Sequence, residues 1–151
     1  MHDDITWFRE IKTCKIKGPD GYLYHTVWIN PADAAKRGIE DGDVVKIYNE
    51  RGATLCGAYV TERVMPGVIS TDHGSRYDPI VPGELDRGGV INTIVPHKLT
   101  SKNCAGMATG GFLAELERVD LYELRREYPE AFQRPYHPAA GPSPKAFIVG
   151  K

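Results

Sequence analysis

The sequence is short of the features that mark several protein classes. It has three cysteines, Cys14, Cys56 and Cys104, and no Cys-x-x-Cys pair. Neither a disulfide framework nor a zinc or iron–sulfur motif is therefore supported, and buried or idle thiols are the plain reading of all three. It has almost no net charge, since 19 Lys and Arg stand against 20 Asp and Glu to leave −1. That argues against a protein that works by neutralising many phosphates, as a nucleic-acid binder must, and leaves a single anionic ligand open. No apolar run approaches the ~20 residues of a membrane helix. The opening Met1-His2-Asp3-Asp4 lacks the basic-then-apolar order of a signal peptide. A soluble, cytoplasmic chain is the expectation, any export signal lying on a preceding part. A self-sufficient catalytic set is missing too: His2, His25, His73, His97 and His137 are scattered, and there is no Gly-x-Ser-x-Gly elbow and no phosphate loop of the nucleotide-hydrolase kind. No residue is assigned to bond breaking, and chemistry is expected to come from elsewhere.

What is present is a single-domain length of 151 residues, broken by 16 Gly and 11 Pro into many short elements. This favours a turn-rich, mainly β architecture over a helical bundle. Thr26-Val27-Trp28-Ile29 reads as a strand. Asn30 through Gly38 then carries the punctuation of a short helix at 31 to 37, with Asn30 as cap, Pro31 opening, Asp33 in the first turn and Gly38 as a left-handed stop. Residues 43 to 49 and 53 to 61 read as a hairpin about Glu50-Arg51-Gly52. The returning strand has small or apolar side chains on both faces, which suits crowding on both sides in a small closed barrel. Pro66-Gly67 turns into a strand at 68 to 71, and residues 112 to 119 alternate as a final strand. A second helix is expected at 121 to 128, capped by Asp120 and stopped by Pro129. Residues 1 to 133 form the expected domain, and 134 to 151 an extended proline-rich tail that would bury Tyr136, Phe147 and Ile148 against a neighbour.

Between Asp72 and Gly111 regular alternation stops, and the segment reads as one long loop held at both ends by strands, a pattern that favours function. His73-Gly74-Ser75-Arg76 joins a glycine to a cation, so that backbone can approach a ligand while a guanidinium reaches an oxyanion. A solvated turn is the plainer alternative. Asn92 and the run Thr100-Ser101-Lys102 offer amide, hydroxyl and ammonium groups suited to a purine edge and a pyrophosphate. A polar loop satisfying its own backbone is the competing reading. Asp33, Asp41 and Asp43 fall in a cap and a turn where structural duty explains them, and Glu115 and Glu117 read as the wet face of a strand.

Trp28 through Val45 resembles the start of the molybdopterin-dinucleotide-binding domain that closes the large subunit of dimethyl sulfoxide reductase family enzymes. Arg51-Gly52, Val64-Met65-Pro66-Gly67-Val68, Gly74, Asn92 and Thr100-Ser101 continue the likeness in order. Within that family Asp4 through Ile11, Pro82 through Gly89 and Thr100 through Asn103 are similar to the transhydroxylase branch, the large subunit of pyrogallol–phloroglucinol transhydroxylase and its relatives. The resemblance implies a six-stranded double-psi β-barrel of the aspartate-decarboxylase-like type, missing its usual first strand. It implies capping of a bis-(molybdopterin guanine dinucleotide) cofactor carrying molybdenum or tungsten, shared with domains absent from this chain. His73, Gly74, Arg76, Asn92, Thr100, Ser101 and Lys102 are the implied cofactor contacts, with no metal ligand among them. The implied partners are the remaining domains or subunits of such an oxidoreductase or transhydroxylase, an iron–sulfur subunit among the candidates. A free-standing double-psi barrel serving as a protein-interaction module is the alternative.

Overall fold

The computed structural model describes residue 11 and residues 14–107, 110–137 and 141–142. The expectation about a first strand and the burial of Phe147 and Ile148 lie outside the described residues.

The chain opens with β1 (Lys15–Lys17), which pairs antiparallel with β2 (Leu23–Ile29). Helix α1 (Pro31–Lys36) follows as its punctuation demands: the Asn30 side-chain oxygen accepts from Ala32 N at 3.0 Å, Pro31 stands at the first helical position, and Gly38 takes φ +62°. The Asn30 amide also donates to the Val64 carbonyl at 2.7 Å, tying the helix start to a distant turn. β3 (Val44–Asn49) and β4 (Gly52–Val60) form the hairpin expected from sequence, with Arg51 N donating to the Asn49 side chain at the turn.

β4 organises the sheet. One edge runs along β3, while the other is divided between two parallel partners: β7 (Leu85–Asp86) beside Ala53 and Thr54, and β2 beside Gly57 to Val60. β5 (Ile69–Thr71) lies antiparallel to β2, β6 (Pro79–Val81) to β7, and β10 (Glu115–Arg118) to β3. Because β4 is flanked on both edges and both faces, residues 54 to 58 are buried without a break. Gly57 is required there, since a Cβ would stand 2.5 Å from Cβ of Ile16, where β1 crosses the strand.

The strand period of two separates two cores. Val27, Ile29, Val45, Ile47, Cys56 and Ala58 fill one. Their neighbours Tyr24, Val44 and Leu55 join Tyr22 and Ile80 in the other, roofed by Leu121 and Ala131 of helices α2 (Leu121–Glu127) and α3 (Pro129–Gln133). Each fully buried aliphatic side chain contributes about 1.5–3 kcal/mol.

Four expectations are revised. Eight strands rather than six share the main sheet, and its pairing path β1-β2-β4-β3-β10 is open among the described residues. The final strand is four residues, not eight. Residues 72 to 111 are not one loop: they carry β6, β7, a 3₁₀ turn at Ile91–Thr93, and a hairpin of β8 (Leu99–Ser101) and β9 (Cys104–Met107). Pieces of two to four residues are too short for alternation to register in sequence. Pro129, expected only to stop a helix, also opens α3, because a missing N–H costs nothing at the first helical position.

At the proline-rich end, β11 (Tyr136–His137) pairs with β12 (Gly141–Pro142). Arg134 donates to the Pro79 carbonyl and forms an ion pair with Asp78 at 3.3 Å, so the junction at 134 is fastened to β6. No helix among the described residues is long and apolar enough to cross a membrane.

Candidate functional site

The first candidate stretch leaves β5 at Thr71 and is fastened from beneath. His25, buried at the end of the β1–β2 pair, donates through Nε2 to the Asp72 carbonyl at 2.8 Å. Gly74 takes φ +95°, a conformation that side chains disfavour, and so turns the chain sharply between His73 and Arg76, both exposed. Tyr77 accepts from Gly83 N through its hydroxyl, and the stretch ends at Asp78, which is buried. Burial pushes the Asp78 carboxyl above the usual carboxylate range, against the opposing pull of Arg134 and Arg87. Its Oδ1 meets Arg134 as an ion pair without hydrogen-bond geometry.

The second stretch presents Asn92 on the 3₁₀ turn. Ile94 anchors that turn in the core with no exposed surface, and the Asn49 amide donates to the Ile94 carbonyl at 2.8 Å. Thr93 closes the turn by donating its hydroxyl to the Val90 carbonyl. The Asn92 side chain is thus an exposed amide on a firmly held turn, with both a donor and an acceptor to offer.

The third stretch is the β8–β9 hairpin. Thr100 donates its hydroxyl to the Gly106 carbonyl at 3.1 Å, and the Ser101 hydroxyl accepts from Asn103 N at 3.3 Å. For these two residues the plainer reading holds in part, because each spends one hydrogen bond on its own hairpin. Lys102 stands exposed at the tip. Among the described residues β8 pairs only with β9, so this hairpin is not joined to the main sheet by strand pairing.

Sequence reasoning passed over the side chains that join the first two stretches. Asp86 and Arg87, which fall within the stretch expected as one long loop, are buried at 0% and 5% exposure. Asp86 accepts from Asp78 N, Val90 N and the Thr54 hydroxyl at 2.7–3.0 Å. Arg87 donates to Asp20 Oδ2 at 2.7 Å and lies against the rings of Tyr22 and Phe132, with its guanidinium carbon 4.0 and 4.4 Å from their centroids. Asp20 also takes the Tyr24 hydroxyl at 2.8 Å, and burial raises the Tyr24 phenol well above its ordinary range. The available signal was adjacency: a charged pair followed at once by Gly88-Gly89, where backbone must come close.

A cleft of about 440 Å³ is walled by Asp33 of α1 and Arg37 at its end, residues 67–71, Ile91, Ile94 and residues 110–114. None of the seven sequence-singled residues lines it. A larger cavity of about 590 Å³, walled by residues 42–44 and 118–122, lies apart from all seven. Asp33, Asp41 and Asp43 have the structural duties expected of them, accepting from the backbone of Gly67, Val60 and Glu40. Glu115 and Glu117 are exposed on β10, and Cys14 and Cys56 are buried thiols. Burial and the charge of Asp86 push the Cys56 thiol up to about 12.

Residues 8–110 match the family described as "Molydopterin dinucleotide binding domain", a span that takes in all seven singled-out residues. The chain is 40% identical over 110 residues to the pyrogallol hydroxytransferase large subunit of Pelobacter acidigallici, covering 70% of this chain and 13% of that protein. It is 46% identical over 93 residues to a dimethyl sulfoxide/trimethylamine N-oxide reductase of Cereibacter sphaeroides, covering 60% of this chain and 11% of the relative. It is 42% identical over 93 residues to the dimethyl sulfoxide reductase DmsA of Escherichia coli, covering 62% and 11%. The chain therefore spans only about an eighth of the length of the relatives it matches.

Proposed function

This chain belongs to the molybdopterin dinucleotide binding domain family, and from that premise we propose that it caps the guanine dinucleotide end of a bis-(molybdopterin guanine dinucleotide) cofactor within a larger molybdenum or tungsten oxidoreductase or transhydroxylase. The observation that carries the reading is the family match across residues 8–110, which contains every residue singled out for the cofactor. The chemistry of the donor set fits such a group. The exposed Asn92 amide suits a purine edge, Arg76 and Lys102 supply charge for a pyrophosphate, and Gly74 lets backbone N–H groups approach closely. When bound, the cofactor supplies the redox chemistry of its metal. This chain's own part is to bind and orient the nucleotide end and to exclude water from it.

The finer features belong to the same proposal. The divided edge of β4, with parallel partners on two halves of one strand, supports a double-psi barrel whose closure is completed in the whole protein. Residues 1 to 133 act as the capping unit, and 134 to 151 lie along a neighbouring domain or subunit. The remaining domains supply the metal and its protein ligand, with an iron–sulfur subunit as a further partner.

The test uses the full-length enzyme. Asn92→Ala removes directed hydrogen bonds of about 0.5–1.5 kcal/mol each, and Lys102→Ala a charge-assisted contact of roughly 1.5–3 kcal/mol. Pterin and metal content should fall in both variants, most in the double variant, while thermal melting of the domain stays unchanged. Wild-type occupancy in the double variant would defeat the site assignment.

A further inference from the structure

Asp86 gathers three donors that belong to three different parts of the chain. Thr54, itself fully buried on β4, gives its hydroxyl to Oδ2 at 3.0 Å; Val90 gives its backbone N–H to the same oxygen at 2.7 Å; Asp78 gives its N–H to Oδ1 at 2.8 Å. Asp78 comes two residues after Arg76, and Val90 two residues before Asn92. The carboxylate therefore fastens the inner ends of two cofactor stretches to one rigid strand. The two glycines that follow complete the fit. A Cβ on Gly88 would stand 1.8 Å from the Arg76 carbonyl oxygen, and one on Gly89, at φ +85°, 2.3 Å from Cβ of His25, the residue that holds the Asp72 carbonyl.

We infer that Asp86 is a positioning residue for the dinucleotide, setting the placement of the Arg76 stretch and the Asn92 turn relative to each other without touching the ligand. This rests on the reading above that those stretches hold the cofactor. A carboxylate is the group the geometry demands. All three partners donate, and an ionised carboxyl is the one compact side chain that only accepts. An asparagine of the same shape would turn an NH₂ onto a donor. Hydrogen bonds to a buried ionised acceptor are also the short, strong kind, so the placement is stiff.

The experiment compares Asp86→Asn with Val45→Ala, a core truncation on β3 at the opposite edge of β4, in the full-length, cofactor-loaded enzyme under conditions matched for loss of melting temperature. Two quantities are read: hydrogen–deuterium exchange over residues 72–78 and 88–94, and the rate at which the dinucleotide leaves, followed by fluorescence of the released pterin. Asp86→Asn should raise exchange in both segments and speed cofactor loss at least tenfold, with Val45→Ala changing neither. Should Asp86→Asn fail to fold, Thr54→Val removes a single donor and is read on the same two quantities, with a smaller rise expected in each. Unchanged exchange, or faster exchange with cofactor loss no greater than in Val45→Ala, would overturn the inference while leaving the site reading intact. Failure of the site reading has its own signature, wild-type retention in Asn92→Ala with Lys102→Ala.

Discussion

The hairpin from Val44 to Val60 and the segment from Asp78 to Ile94 share one sheet, through the pairing of Ala53 and Thr54 with Leu85 and Asp86, yet they are held by different means. In the hairpin the order comes from area: Val45, Ile47, Cys56 and Ala58 have no exposed surface and pack against other apolar groups. In the second segment Ile80 and Ile94 reach the cores, but the chain around them is fixed by a few charged groups, Asp86, Arg87 and Asp78, each buried and each answered by a partner of opposite sign or by N–H donors. Area is divisible, and losing one methyl loses only that part. A buried charge is not divisible, because removing its partner leaves the whole desolvation cost standing. The candidate cofactor stretches hang on the second kind of support, which tolerates little but places backbone stiffly.

The comparison can be tested at both ends. The largest effect is expected from Arg87→Ala, which strands Asp20 as an uncompensated buried carboxylate and removes the cation from between Tyr22 and Phe132. Denaturant unfolding should show a loss of about 3–5 kcal/mol. A loss under 1 kcal/mol would mean that the charged segment is as forgiving as the hairpin.

Cys56 lies where the two regions meet, in the apolar core but under the field of Asp86. Its thiol is raised from 9.0 to about 12 in the folded chain. An acid raised by folding favours the protonated form, so its contribution is whole below the unfolded value and is lost as pH climbs toward the folded one. Between about pH 9 and 12 the wild type should lose up to ~1.4 kcal/mol per pH unit more than Cys56→Ala. Parallel stability curves for the two proteins over that range would remove Cys56 as the link.

The smallest effect belongs to Ile47→Val, which deletes one methylene from the hairpin core. A loss of about 0.5–1.5 kcal/mol in urea unfolding is expected, with no change in cofactor retention. Released cofactor in this variant would show that the hairpin also positions the stretches.

The same division explains what could be read in advance. α1, the β3–β4 hairpin and the start of α2 were legible because their signals are local: Asn30 and Asp120 cap within three residues, and the turn after Asn49 closes on itself. β6 and β7 were not. Leu85-Asp86 is a two-residue strand held on one edge by β6 and on the other by Ala53 and Thr54, more than thirty positions earlier in the chain. Of the candidate site, the exposed residues His73, Arg76, Asn92 and Lys102 could be singled out by type. The groups beneath them were not, because burial inverts the usual meaning of Asp and Arg and nothing in Asp86-Arg87 itself announces burial.

The divided edge of β4 has a further consequence for how the chain folds. The β3–β4 hairpin can form at once from neighbours in sequence, but β2 and β7 must each reach β4 across roughly thirty residues and dock parallel to it on the same edge. Such long closures are slow, and neither can begin until the strand both of them use exists. The hairpin is therefore the natural early platform, and the arrival of β7, which brings Asp86 under Thr54, is a late event. Mutations in β7 should then speed unfolding far more than they slow folding, while mutations at the Asn49–Gly52 turn should do the reverse.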